Sequence, residues 1–143
     1  MQLYSPNFLS SVGLATHVRG GEEMDSILNT IKKMLGIDSN YDAFDTDIIV
    51  HINSAIMILR QLGIGPPDGF IVSDESDSWS DLIGEGTTLY ESIKTYIYLK
   101  VKSVFDPSTS SAANEASKEM IKELEWRLNS ESENTTSPKS TNE

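Results

Sequence analysis

Cysteine is absent from the 143 residues, which excludes disulfides, thiol nucleophiles and Cys-ligated zinc and fits a cytosolic product. Basic residues are scarce: 11 stand against 22 acidic ones, for a formal net charge of −11. Such a surface is wrong for a protein that binds nucleic acid by neutralising phosphates, and wrong for adhesion to anionic membranes. It does not prevent an acidic protein from surrounding DNA, since repulsion keeps the polymer from sticking to a wall. No apolar run approaches the roughly 18 residues that span a bilayer. There are 2 histidines, and the lone His51 reads as a structural residue on a helix flank. No glycine-rich phosphate cradle precedes a helix, and no nucleophile elbow is present. Catalysis and a cofactor are therefore not expected. Apolar content is 38%, so the core is small and oligomerisation would help it.

The clearest pattern that is present runs from Thr88 to Pro107. Leu89, Ile93, Ile97, Val101 and Phe105 recur every fourth residue, widened by Tyr90, Tyr96 and Val104. Thr88 with Glu91 reads as a capping box, and Pro107 stops the helix at Asp106. At about 100° per residue, Lys100 falls in the middle of the apolar arc beside Leu89 and Ile93. A lysine there needs a carboxylate partner, a route to water or a neighbouring chain.

Three further helices follow from the same kind of signal. The first runs from about Asp25 to Leu35, capped by Asp25 or Ser26 and ended by Gly36. The second is capped by Asp45 or Thr46 and reaches about Leu62, with Ile48, Ile52, Ala55, Ile56, Leu59 and Leu62 as its stripe. Val50, Met57 and Ile58 lie outside that stripe, so the helix is apolar nearly all round. It is either central or covered by another subunit. The last helix is capped by Ser110 or Ser111 and reaches about Asn129, with Ala112, Ala116, Met120, Leu124 and Leu128, joined by Ala113 and Ile121, facing inward. Trp126 points away from that row, whereas Arg127 leans towards it, one turn after Glu123.

Between the helices, Gly63 to Gly86 reads as one long loop, and loops of that length are functional or disordered. It holds a short β-like arm, Phe70-Ile71-Val72, and the acidic segment Ser73 to Asp81 around Trp79. Counted from Asp74, Ser76, Ser78 and Glu85 fall at calcium-ligand positions. Trp79 stands where the turn glycine belongs, however, so no metal site is expected. The fold class is all-α: a small bundle of about four helices with one long loop. Residues 1–23 are expected to be a disordered arm or a non-native extension ahead of a natural start at Met24, because Gly-Gly-Glu-Glu can be encoded by a purine-rich, ribosome-binding-like run. Residues 24–129 form the domain, and residues 130–143 a disordered tail.

Trp79, Lys100, Trp126 and Arg127 are the candidate contact residues. In a monomer, Lys100 snorkels, Arg127 pairs with Glu123 and Trp126 covers a frayed last turn. In an assembly, Trp126 anchors a contact and the basic groups meet acids on a neighbour.

The segments ILNTIKKMLGI, DTDIIVHINSAIMILRQLGIG, SWSDLI, YIYLKVKSVFDP and IKELEWRLNSE, in this order and spacing, resemble the tailed-bacteriophage or prophage head–tail connector proteins of the head-completion (adaptor) type. The resemblance covers Met24 to Asn129. It implies a small all-α subunit that forms a ring, commonly of twelve copies, beneath the portal vertex. Its implied partners are other copies of itself, the portal protein and the next neck, stopper or tail-completion protein. DNA would pass through the channel without specific binding, no membrane would be involved, and the site would be the neck of the virion. A DNA-packaging accessory of the small-terminase kind is the alternative, and a carboxylate-metal enzyme a second one.

Overall fold

Glycine ends the first two helices by the same device. In this computed structural model, which describes residues 25–136, α1 spans Ile27–Met34 and α2 spans Asp45–Gln61. Past α1, Gly36 takes φ 81°, its N–H donates to the Lys33 carbonyl and the Ile37 N–H donates to Lys32. Past α2, Gly63 takes φ 87°, its N–H donates to Arg60 and the Ile64 N–H donates to Leu59. Both are Schellman closures, which need a left-handed residue and bring the next apolar side chain back onto the helix. Ile64 is accordingly buried. At the other end of α1, the Ser26 hydroxyl accepts from the Asn29 N–H at 3.2 Å, as expected of an N-cap.

Three further helices complete the chain: α3 (Trp79–Ile83), α4 (Tyr90–Phe105) and α5 (Ser111–Thr136). The main packing pairs are α2 with α4 and α4 with α5, and α1 closes over α2 and α4. The core is therefore arranged around α4, whose Ile93, Tyr96, Ile97 and Val101 are all buried. From α1 it receives Ile27, Leu28 and Ile31, and from α2 Ile48, Ile52, Ala55, Ile56 and Leu59. The expected all-α bundle is what forms. The expectations for residues 1–23, for a start at Met24 and for residues 137–143 lie outside the described residues.

Two of the expected caps are not used. Asp45 is the first residue inside α2, not its cap; Phe44 occupies that position and makes no side-chain cap bond. The Asp45 carboxylate is engaged elsewhere, 2.7 Å from the Lys32 ammonium. Thr88 does not cap α4 either. The helix begins at Tyr90, Leu89 precedes it without a side-chain cap, and Glu91 turns to Lys94 at 2.9 Å. In both cases an ion pair takes the carboxylate that a capping reading would assign to the backbone.

The last helix departs from expectation in two ways. Ser110 caps it, accepting from the Ala113 N–H at 3.2 Å, but it continues seven residues past Asn129, to Thr136. Residues 130–136 are thus helix and not tail. Ser132 lies against Gly63, where a Cβ would overlap its side chain. The inward row also differs. Leu128 is buried and Ile121 and Leu124 are half-buried against the core, while Ala112, Ala113, Ala116 and Met120 are exposed. An every-fourth row turns by about 40° per step, so Ala112 sits about 160° round the helix from Leu128.

The segment between α2 and α4 is held by specific bonds. Phe70-Ile71-Val72 runs extended and joins no strand among the described residues. The Asn53 amide instead pairs with the Val72 backbone as a second strand would: Nδ2 donates to the Val72 carbonyl at 2.9 Å, and the Val72 N–H donates to Oδ1 at 2.8 Å. Further on, the Asp77 carbonyl accepts from the Ile27 N–H at 3.0 Å, tying the segment to α1. Asn53→Ala is expected to cost about 1–3 kcal/mol, because it strands two polar groups beside buried Val72. Hydrogen exchange should show faster loss of protection at Val72 than in α4; equal protection in variant and parent would show that the clamp is dispensable.

Candidate assembly surfaces

Clustered apolar side chains left exposed on a small bundle are the candidate contact surfaces. One such group is Tyr41 and Phe44, 52% and 41% exposed beside Phe105, with Val104 62% exposed next to it in the chain; two further places carry open surfaces. On α2, the face turned away from α4 carries Val50 and Met57, 56% and 59% exposed, and Ile71 beside them is 70% exposed. With Phe70, Asn53 and Ser54 they line an open groove of about 730 Å³ between α2 and the loop. Arg60 and Asp68 stand on its rim, and the Arg60 guanidinium donates to the Pro67 carbonyl at 3.2 Å.

The second place is a ridge on α5. Trp126 is 70% exposed and Met120 lies exposed close to it, with Ala116, Glu119, Lys122 and Glu123 around them. The charges of this helix are paired along its own surface: Lys118 with Glu115 at 2.9 Å, Lys122 with Glu119 at 3.2 Å, and Arg127 with Glu123 at 2.6 Å. The Lys118 hydrogen bond, and then its charge, hold the Glu115 carboxyl below its usual range. These exposed pairs favour the helix slightly and leave the ridge electrically balanced.

The four candidate contact residues do not form one cluster. Trp126 is on the surface, as its phase on the helix predicts. Arg127 is exposed and does not lean inward, because its pairing with Glu123 holds it along the outer face. Lys100 is half-buried, and among the described residues no carboxylate lies within ion-pair distance of it. Trp79 presents no surface to a neighbour. It is 1% exposed, its indole N–H donates to the Thr30 hydroxyl at 3.1 Å, and its ring meets Tyr90 edge-on at 5.7 Å. It is the anchor that fixes the acidic segment to α1 and α4.

The buried cation in this fold is Lys32, which sequence reasoning passed over. Its side chain is fully buried, its ammonium donates to the Ser39 carbonyl at 3.0 Å, and Asp45 supplies the countercharge. The available signal was its spacing: Leu28, Lys32 and Leu35 fall on one row, at i, i+4 and i+7.

The acidic segment binds its own backbone. Asp77 accepts from the Ser73 and Asp74 N–H groups at 2.6 and 3.1 Å. Asp74 accepts from the Ser76 hydroxyl and then the Ser76 N–H, which together hold its carboxyl below the usual range. Among the described residues no group of three or more His, Asp or Glu is placed to hold a metal, and no helix is long and apolar enough to cross a membrane.

The family described as phage connector protein matches residues 27–135, which is all five helices but for the last residue of α5. The chain belongs to that family. Membership carries a general role as a head–tail connector. No curated protein matches the chain, and no solved structure does.

The contact between α4 and α5 in this connector fold is pH-sensitive. Tyr96 is fully buried and donates to the Glu125 carboxylate at 2.8 Å. Burial, then that hydrogen bond, then the Glu125 charge push its phenol well above the usual range. The unfolded chain therefore releases this proton near pH 10 while the folded chain keeps it, so this contribution is complete below about pH 10 and declines as pH rises further. Tyr96→Phe should lose less stability than the parent between about pH 8 and pH 11; identical losses in urea titrations would mean that Tyr96 is not held protonated by the fold.

Proposed function

We propose that the chain is a non-enzymatic structural adaptor that forms a ring beneath the portal of a tailed phage or prophage. In this reading it extends the DNA channel after packaging and offers a docking surface to the next neck or tail-completion protein. Its place is the neck of the virion, with assembly in the host cytoplasm. The observation that carries the reading is a bundle of the connector family left with large apolar side chains uncovered on its outer faces. A monomer has no use for Trp126, Val50, Met57 and Ile71 in water, whereas a ring covers them. The acidic balance adds support, because DNA must slide through such a ring without adhering to it.

The direct test removes the gene from the phage. Particles made without the chain should contain packaged heads without tails, and adding the purified chain should restore tail joining. Normal tailed particles in its absence would contradict the proposal. Lys100 belongs to the same reading. Lys100→Ala should change the urea midpoint of the monomer by less than about 0.5 kcal/mol equivalent and reduce incorporation into connectors several-fold. A variant that loses stability but assembles normally would make Lys100 a core residue and nothing more.

A further inference from the structure

Two consecutive turns join α1 to α2 and bring a pair of aromatic rings together. The Tyr41 N–H donates to the Asp38 carbonyl at 3.0 Å and the Asp45 N–H donates to the Asp42 carbonyl at 3.1 Å, so a turn at 38–41 is followed at once by one at 42–45. The Asp38 carboxylate accepts from the Asn40 N–H at 2.8 Å and braces the first of them. Tyr41 and Phe44 then meet with ring centroids 5.6 Å apart, and Phe44 meets Phe105, the last residue of α4, edge-on at 5.4 Å. The rings hold one another in place, yet Tyr41, Phe44 and the neighbouring Val104 stay exposed.

The charge around these rings is of one sign. Residues 34–59 contain Asp38, Asp42, Asp45 and Asp47 and no lysine or arginine. Asp45 is neutralised by Lys32, whereas among the described residues no basic group lies within ion-pair distance of Asp42 or Asp47. Asp42 is exposed and stands between the two rings in the chain. The other two apolar surfaces differ: the groove rim carries Arg60 with Asp68, and the ridge charges are paired along α5. An aromatic face beside an unpaired carboxylate attracts a cation with a flat, weakly hydrated body, which describes arginine. Another copy of this chain is a poor source of that cation. Its Lys32, Lys94, Lys102, Lys118, Lys122 and Arg127 are each engaged by one of its own carboxylates, and its net charge of −11 repels a second copy.

We propose that Tyr41, Asp42, Phe44 and Val104 form a docking site for an arginine-bearing apolar segment of a different protein. The guanidinium lies on an exposed ring face and pairs with the Asp42 carboxylate, and the apolar neighbours of that arginine cover Val104. The site supplies the chemistry of one partner of the adaptor, and it rests on the adaptor reading only for the existence of a partner.

The test titrates a capped peptide, Gly-Leu-Pro-Arg-Leu-Gly, into the isotopically labelled full-length chain and follows it by NMR. A twin peptide carries citrulline in place of arginine, which keeps the shape and removes the charge. The arginine peptide is expected to shift Tyr41, Asp42, Phe44 and Val104 saturably at millimolar concentration, and the citrulline peptide to bind about tenfold more weakly. Tyr41→Ala and Asp42→Asn change exposed side chains while the turns are closed by backbone groups, and each should weaken the arginine peptide by about threefold or more. Asp42→Asn keeps both rings, so it remains decisive if Tyr41→Ala loosens the cluster. Equal binding of the two peptides overturns the site, as do shifts centred on the acidic residues 73–81 or on the Val50–Ile71 groove, or no saturable shift at all. Any of these leaves the ring reading standing. Tailed particles made without the chain would overturn the ring reading and leave the peptide result as it is.

Discussion

Asp45→Ala is expected to destabilise the folded chain by about 3–5 kcal/mol, the usual cost of leaving a buried charge without its partner. Lys32 cannot move to water without dismantling the start of α2, since its side chain is fully enclosed and its ammonium is held by the Ser39 carbonyl and the Asp45 carboxylate. The loss is a large share of the ~5–15 kcal/mol that holds a small domain together. Asp47 provides the control, because it lies in the same first turn of α2 but on the exposed side. Asp47→Ala removes only its favourable interaction with the helix dipole, worth about 0.3–1 kcal/mol. Replacing both partners, Lys32→Met with Asp45→Ala, should recover much of the loss, because the pair exchanges a desolvated charge for packing. Urea denaturation of the four proteins reads this directly. An Asp45→Ala midpoint no lower than that of Asp47→Ala would show that Ser39 alone satisfies the ammonium.

Trp79→Ala and Trp126→Ala are expected to separate completely in stability. Trp79 is sealed between α1 and α4, and truncating it leaves a cavity and removes the indole hydrogen bond to Thr30, at about 3–5 kcal/mol. The damage should spread to residues 73–83, whose attachment to α1 depends on the same indole, and far less to the α4–α5 contact. Trp126 is in water already, so Trp126→Ala should stay within about 0.5 kcal/mol of the parent. Each variant keeps a single tryptophan, which makes emission a second readout. The Trp79 that remains in Trp126→Ala should be shielded from acrylamide, and the Trp126 that remains in Trp79→Ala should be quenched freely. Equal quenching of the two would contradict the burial described here.

What could be read in the sequence depended on whether the deciding partner was local. Gly36 and Gly63 announce helix ends because a glycine after a periodic run suits one local geometry. Val50 and Met57 were legible as a second apolar face, since helical phase is local too. Lys32 and Asp45 were not, because their pairing spans a polar connector and shows only once α1 and α2 are side by side. Trp79 was misplaced for a similar reason. Its neighbours in sequence are Ser and Asp, which suggest an exposed loop, while the groups that bury it are Thr30 and Tyr90. The helical extension to Thr136 brings Ser132 against Gly63 across the bundle, a contact that a polar tail does not advertise. The α5 row failed on arithmetic: a four-residue repeat drifts round the helix, and only its second half faces α4.

In the proposed ring, the apolar faces of this connector are completed by neighbours and not by its own fold. Native mass spectrometry of the chain mixed with its portal protein, for the parent and for Trp126→Ala at matched stability, tests it most directly. The parent is expected to join the portal as a closed ring while Trp126→Ala remains a folded monomer. A Trp126→Ala protein that assembles as fully as the parent would contradict it.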